Sequence, residues 1–312
     1  MTYQPPGSPP PWQPVHAPYG GWTPAPPRPG CVPLRPLGVS DILDGSFQVI
    51  RRNPRTILSF SVALSAVAVI LTTITQVIAV NQLGGQSVTS NGTSSPDLSS
   101  LAGGELAAVA GLLIRGVVGS ILTGLLVVAI TQDVLGVRIS PAQAWARVRP
   151  RVGALIALSL ATSLLEFLGL IPLFVLGVWL WGIWAVAIPA FIVEQTTIRG
   201  AWRRSTQLVR GTFWRVWGIR ALGYLLVLVV SSVVTVPFEA IGLVVSGSSF
   251  GDLTHGHQPI ALLLFTAIGS LVASTFTAPL LAGIESLLYV DLRMRREGLD
   301  IVLQQRAYGT GR

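Results

Sequence analysis

The chain has 312 residues, of which 51% are hydrophobic and only 11% charged, and its formal net charge is +8. A soluble protein would carry about a quarter charged residues, so this composition excludes a soluble globular protein and indicates that most of the chain lies in lipid. All 21 basic residues are arginines, and nearly all of them lie outside the apolar runs or near their ends. Their placement predicts contact with anionic lipid headgroups and no binding to nucleic acid.

Residues 1–37 form a proline-rich segment that contains PPG, PPPW and PAPP. Such a segment cannot bury a core, so we expect a disordered, cytoplasmic tail biased towards polyproline II. Two roles remain open for it, a spacer or a ligand for the aromatic groove of a protein partner. It lacks the basic start and apolar centre of a signal peptide, so we expect no cleavage.

Six apolar runs follow the tail, and about 20 apolar residues suffice to cross a bilayer. The predicted spans are residues 56–80, 106–130, 152–168, 173–193, 216–236 and 260–290. The last run is longer than the hydrocarbon core requires, so we expect it to project beyond the bilayer or to kink at Pro279.

The arginines predict the orientation of these spans. All of them except Arg115 lie in the tails or in the segments on one side of the predicted spans, and the three opposite loops contain none. The positive-inside bias therefore predicts a multi-pass protein of a bacterial plasma membrane with both termini in the cytoplasm. The predicted membrane domain covers residues 38–305, and residues 306–312 form a C-terminal tail.

Three basic segments precede the predicted spans. In the segment 194–217, Ile198 and Trp202 belong to one helical face, whereas Arg199, Arg203 and Arg210 belong to the other. This pattern predicts a short helix on the inner membrane surface, with its tryptophan in the acyl boundary. Segments 37–55 and 131–151 have the same character. The arginines predicted to contact lipid headgroups are Arg51, Arg52, Arg147, Arg199, Arg203 and Arg210.

The basic segments also align with one another. The sequence SFQVIR beginning at Ser46 matches STQLVR beginning at Ser205, and RxxPR occurs at Arg51 and at Arg147. The unit would be an interfacial helix, a span, an outer turn and a span, used three times. Two interpretations remain open, a true triplication or the general likeness of basic helices that precede membrane spans.

Three of the charged residues within the predicted spans, Arg115, Glu166 and Glu285, are candidates for a site. Arg115 and Glu166 lie about 22 Å and about 21 Å from the inner ends of their spans, so we expect them to form a pair. Glu285 lies at a depth that suits pairing with Arg215 or Arg220. The favoured interpretation is structural, and the alternative makes Glu166 a proton or substrate site of a transporter.

No arrangement of residues predicts catalysis. Paired carboxylates, a nucleophile with its base and a cysteine metal cluster are all missing from the sequence, so we expect no catalytic residue, no cofactor and no metal. His255 and His257, with Asp252, are too few ligands for a convincing metal site.

The motifs VPLRPLGVSDILDGSFQVIRRNPR, AWARVRPR and LLYVDLRMRREGLD resemble an actinobacterial family of proline- and glycine-rich membrane proteins. That family carries the membrane domain of glycerophosphoryl diester phosphodiesterase. The resemblance covers about residues 32–305 and implies a link to glycerophospholipid metabolism. The catalytic barrel of some relatives needs roughly 250 residues and has no counterpart here, so the enzyme activity is not implied.

Together these features predict an all-α integral membrane protein with six transmembrane helices and cytoplasmic interfacial helices. The leading functional hypothesis is a non-enzymatic anchor or scaffold that interacts with anionic lipid. The alternative is a transporter or lipid-handling protein with a polar cavity, which would need discontinuous helices or polar residues at the midplane. Candidate polar residues for that alternative are Thr72, Thr73, Thr75, Gln76, Ser270, Ser274, Thr275 and Thr277.

Overall fold

The computed structural model describes residues 36–83, 98–134, 140–170, 174–247 and 259–298. These residues form helices joined by short turns, which confirms the all-α prediction. The helices are α1 (Val39–Arg52), α2 (Pro54–Leu83), α3 (Leu98–Val134), α4 (Pro141–Val148), α5 (Val152–Leu170), α6 (Phe174–Ile183), α7 (Ala187–Val193), α8 (Ile198–Val209), α9 (Phe213–Ser246) and α10 (Ile260–Glu297). Nearly all of the predicted N-terminal tail, the C-terminal tail and the candidate histidines lie outside the described residues.

Within the described ranges, six helical segments are long and apolar enough to cross a membrane. They are α2, α3, α4 with α5, α6 with α7, α9 and α10, and they confirm a six-span membrane protein. Large apolar side chains are exposed along one face of α2, at Val67, Ile70, Leu71, Ile74 and Ile78. An apolar exterior of this kind suits contact with lipid, because water would not solvate it.

The short helices α1, α4 and α8 lie at the same end of the bundle as the last turns of α10, and we call this the basic end. Local capping explains where these helices begin. The Ser140 hydroxyl accepts from the Gln143 N–H before α4, and the Thr197 hydroxyl accepts from the Gly200 N–H before α8.

The helix order repeats three times as a short helix followed by two spans, and the packing follows the same threefold pattern. Two short helices pack on the second span of the unit before them, α4 on α3 and α8 on α7. The first short helix, α1, packs on α10, the second span of the last unit, so the arrangement is cyclic. The second spans α3, α7 and α10 also contact one another. The aligned residues Ser46 and Ser205 are both fully buried at these contacts. The packing therefore supports the triplication that the sequence left open.

Much of the apolar face of each short helix packs against protein. Trp202 of α8 stacks on Trp184 with ring centroids 5.2 Å apart, and its indole N–H donates to the Thr162 hydroxyl at 2.9 Å. Trp202 is half-buried, so protein covers part of the face that we expected to meet the acyl boundary. The helical period finds the apolar face of a helix, but it does not say whether lipid or another helix covers that face.

The last span, α10, continues as one helix through Pro279. Proline has no N–H to bond the carbonyl four residues earlier, which belongs to Thr275. The hydroxyl of Ser61 in α2 donates to that carbonyl at 2.7 Å. A neighbouring helix therefore satisfies the group that proline leaves free, and the helix continues to Glu297.

Candidate functional site

A cavity of about 1050 Å³ lies inside the bundle, and all six spans contribute to its lining. On α10 the lining runs from Thr266 to Glu285, which corresponds to about 28 Å of helix. This length approaches the ~30 Å thickness of the hydrocarbon core. Pockets for drug-sized ligands typically measure roughly 300 to 1000 Å³, so the cavity has room for such a molecule.

The lining combines apolar side chains with an unusual number of polar ones for a membrane interior. Its charged residues are Arg115, Glu166, Arg220, Glu239 and Glu285. Its hydroxyl residues are Ser65, Thr72, Ser120, Thr123, Ser159, Thr162, Ser163, Tyr224, Ser231, Ser232, Thr235, Thr266, Ser270, Ser274 and Thr277. Ionisable residues inside a membrane are costly and usually mark a pathway or a binding site.

Buried apolar side chains separate the cavity from the basic end. On α3 the lining ends at Thr123, and residues 125–128 and 130 beyond it are all buried apolar residues. On α10 the lining ends at Glu285, and residues 287–290 and 292 are buried. Along α3 and α10 this layer lies between the cavity and the basic end, whereas the lining continues to Val109 and Glu239 towards the other end.

The fourth span is discontinuous where it borders the cavity. Between α6 and α7 the Ala185 N–H donates to the Gly182 carbonyl, and the Ala187 N–H donates to the Trp184 carbonyl. Both bonds span three residues, not the four of an α-helix. Pro189 explains the interruption, because its ring clashes with the carbonyl of Ala185 four residues earlier and its nitrogen cannot donate. The interruption releases backbone groups that a regular helix would satisfy.

Side chains from outside the span satisfy these released groups. The Ser205 hydroxyl donates to the Ile183 carbonyl at 2.7 Å and accepts from the Val186 N–H at 3.3 Å. The guanidinium of Arg220 donates to the Trp181 carbonyl. Interrupted helices are tolerated at membrane depth where they are buried in protein or line a cavity, and both conditions hold here.

Arg220 also forms the charged centre of the cavity. Its Nη2 atom lies 3.3 Å from Oε1 of Glu285, and the other carboxylate oxygen of Glu285 accepts from the Thr123 hydroxyl at 3.2 Å. The guanidinium lies 4.5 Å from the ring centroid of Trp181 and 5.7 Å from that of Tyr224. Glu285 therefore pairs with one of the two arginines predicted for it, and the pair neutralises both charges.

The expected ion pair between Arg115 and Glu166 is not formed. Within the described part of the chain, neither side chain makes an ion pair or a hydrogen bond, although both line the cavity. The charges that act most on Glu166 are those of Arg220 and Glu285. Equal depth in the membrane does not fix the rotation of two helices about their axes, which is why the prediction was wrong.

At the basic end, Asp291 holds the beginning of the described chain against α10. Its side chain is fully buried and accepts from the Leu37 N–H at 2.8 Å and from Arg215 and Arg295. The same two guanidinium groups donate to the Leu37 carbonyl, at 2.6 and 2.8 Å. This network joins the residue before α1 to α9 and to the end of α10.

A second network joins α8 to the end of α10. Arg204 donates to both carboxylate oxygens of Glu194 at 2.7 Å and also pairs with Glu297. Burial lowers the pKa of Arg204, but hydrogen bonds and charges from the two glutamates raise it more, so its pKa lies above the usual value. This arginine therefore remains charged and serves the packing of the protein.

The six arginines predicted to contact lipid headgroups are all exposed. Of these, Arg51, Arg147, Arg199, Arg203 and Arg210 make no ion pair or hydrogen bond with the described residues. Their guanidinium groups are thus open to a ligand from outside the chain, whereas Arg204, Arg215 and Arg220 are engaged by carboxylates of the protein.

Part of the cavity lining could be predicted from the sequence. Thr72, Ser270, Ser274 and Thr277 of the candidate polar residues line it, whereas Glu239 and Tyr224 were missed. A signal was present on α5, where Ser159, Thr162, Ser163 and Glu166 recur at helical spacing and form one polar stripe.

Within the described residues, no group of three or more potential ligands could hold a metal ion. Comparisons with models of known protein families, with curated proteins and with solved structures find no match to this chain. The resemblance to the glycerophosphoryl diester phosphodiesterase membrane domain therefore remains a prediction from the sequence motifs.

Proposed function

We propose that this membrane protein is a non-enzymatic transporter or lipid-handling protein that binds its ligand in the cavity between the six spans. The observation that carries the proposal is the interrupted fourth span beside a cavity whose described lining includes five charged residues. Discontinuous helices whose freed backbone groups border an intramembrane site are a recurrent feature of transporters. A protein that only anchors or organises other proteins has no need for such a cavity.

The buried layer between the cavity and the basic end fits this proposal. Alternating access requires a site that is open to one side of the membrane and sealed from the other. The buried layer formed by α3 and α10 provides a seal at the basic end. With the orientation that the arginines predict, the ligand would enter from outside the cytoplasm.

Cysteine accessibility tests whether the cavity is wet. In a Cys31→Ser background, Ser270→Cys places a thiol in the lining and Val229→Cys places one on the exposed apolar surface of α9. A thiol reacts as its thiolate, and it ionises to the thiolate only where water can solvate the charge. A water-soluble maleimide should therefore label position 270 at least tenfold faster than position 229. Equal and slow labelling at the two positions would refute a hydrated binding site.

A second role, anchoring to anionic lipid, has its own support in the exposed arginines of α8. Each such charge near a membrane surface contributes about 1 kcal/mol of attraction to anionic lipid. Replacing Arg199, Arg203 and Arg210 with glutamine should therefore reduce the enrichment of anionic lipid around the reconstituted protein. The matched lysine triple variant keeps the charge and should retain the enrichment, and unchanged enrichment in the glutamine variant would exclude this role.

A further inference from the structure

We infer that the cavity takes an amphiphile that carries an ammonium group on an apolar body, with Glu166 as the counter-ion of that group. This inference rests on the proposed function, because it assigns a ligand class to the same cavity. It goes beyond that proposal because it specifies the sign of the ligand's charge and the residue that recognises it.

Glu166 is the first observation behind the inference. Its carboxylate lines the cavity and makes no hydrogen bond or ion pair within the described part of the chain. By contrast, Glu285 deeper in the cavity is already engaged by Arg220 and Thr123. A carboxylate without a partner at membrane depth is costly, so a cation supplied by a ligand would stabilise it.

The cations of the cavity point the same way. Both terminal nitrogens of Arg220 already donate within the protein, to the Trp181 carbonyl and to Glu285. The rings of Trp181 and Tyr224 lie against its guanidinium, and its Nε atom is buried without a partner. It is therefore shielded from an anionic ligand. Apart from the Arg220–Glu285 pair, the charged residues of the described lining are one arginine, Arg115, and two glutamates, Glu166 and Glu239. The formal charge of these unpaired residues is therefore negative.

The hydroxyl groups add further acceptors. Several of them donate their proton to a carbonyl of their own helix, which leaves oxygen lone pairs for the cavity. Residues with this bond are Thr72, Ser120, Ser232, Ser274 and Thr277. A lining rich in acceptors is complementary to a ligand rich in N–H donors, and its apolar residues suit the remainder of an amphiphile.

Two kinds of molecule share this chemistry, a cationic amphiphile and a zwitterionic lipid whose phosphate would contact Arg115. A probe series with a common dodecyl chain separates them: dodecylammonium, dodecyl phosphoethanolamine and dodecyl phosphate. The readout is protection of the cysteine at position 270 from maleimide in the full-length protein. Dodecylammonium should protect at a concentration about tenfold or more below that of dodecyl phosphate, because one charge-assisted bond corresponds to about this factor.

Two variants assign the effect to residues. Glu166→Gln should raise the half-protecting concentration of dodecylammonium about tenfold, whereas Asp44→Asn, which removes the same charge from the exposed surface of α1, should not. If the natural ligand is zwitterionic, dodecyl phosphoethanolamine should protect as well as dodecylammonium does, and Arg115→Gln should weaken the protection by dodecyl phosphoethanolamine alone. If it is a cationic amphiphile, dodecyl phosphoethanolamine should protect less well than dodecylammonium.

The inference is overturned if dodecyl phosphate protects as well as dodecylammonium, a comparison that does not depend on the folding of any Glu166 variant. It is also overturned if Glu166→Gln leaves protection by dodecylammonium unchanged. Rapid labelling at position 270 without protection by any probe would refute this ligand class while leaving the hydrated cavity in place. Absence of labelling would instead refute the proposed function itself.

Discussion

The hydroxyl of Ser205 accepts a hydrogen bond from the backbone N–H of Val186, at 3.3 Å, across the interruption between α6 and α7. The same oxygen donates to the Ile183 carbonyl at 2.7 Å. One side chain of a basic-end helix thus satisfies two backbone groups that the fourth span leaves free. The position corresponds to Ser46 in the first unit, which is buried against Gly283 of α10.

Ser205→Ala should destabilise the protein because it leaves a buried N–H and a buried carbonyl without partners. The expected loss is about 1 to 3 kcal/mol in the free energy of unfolding, measured in detergent. Ser59→Ala is the matched control, since Ser59 is exposed and bonds only a carbonyl of its own helix. Equal stability of the two variants would contradict the role given to Ser205.

The Arg220–Glu285 pair should show strong coupling in a double-mutant cycle. Arg220→Met or Glu285→Gln alone should each cost about 3 to 5 kcal/mol, because the remaining group is left buried without its partner. The double variant should lose clearly less than the sum. Arg293 and Glu297, whose side chains are 25% and 29% exposed, serve as a control pair with an expected coupling of about 1 kcal/mol or less. Additive losses at Arg220 and Glu285 would disprove the coupling.

Gly182→Ala should disturb the contact between the fourth and fifth spans. A Cβ atom at this position would lie 2.5 Å from Cε2 of Phe213, closer than real contacts allow. The ring must move, and overpacking of this kind costs about 1 to 3 kcal/mol. Gly218→Ala meets no atom within 4 Å and should be neutral or slightly stabilising, because alanine favours helix. Thermal unfolding of both variants in the same detergent decides the matter, and equal effects would contradict this account.

Asp291→Ala should release the chain around Leu37 from the end of α10. The substitution removes the acceptor of the Leu37 N–H and leaves Arg215 and Arg295 without their shared carboxylate. Hydrogen exchange of the Leu37 amide and of the amides of α1 should therefore accelerate by tenfold or more, since loss of a buried charged partner costs several kcal/mol. Asp44→Asn on the exposed face of α1 should leave exchange unchanged. Slow exchange in the Asp291 variant would mean that the hydrogen bonds of Asp291 contribute little to the stability of this contact.

Reporter fusions test the orientation predicted from the arginines. Fusions at Ser94 and Gly251 should report an external location, and a fusion at the N-terminus should report the cytoplasm. An internal signal at either loop would reverse or break the predicted topology, and the proposed entry of ligand from outside would then be wrong.

The sequence by itself determined the class of the protein and the approximate position of most of its helices, although α3 begins at Leu98 and α9 ends at Ser246, beyond the predicted spans. Spans are set by the length of apolar runs, and the short helices by a period of 3.6 residues, so both are local properties of the chain. The fourth span is the exception, because its interruption depends on Pro189 together with partners contributed by Ser205 and Arg220. Local composition shows a continuous apolar run there.

Only the tertiary structure decided which charged side chains meet. Glu285 pairs with Arg220, one of its two expected partners, whereas Arg115 and Glu166 line the same cavity without pairing. Depth along each helix follows from the residue count, but contact also requires the rotation of each helix about its axis, which is set by packing against its neighbours. For the same reason, the stripe of Ser159, Thr162, Ser163 and Glu166 could be detected in the sequence, whereas its position in the wall of a cavity emerged only from the arrangement of all six spans.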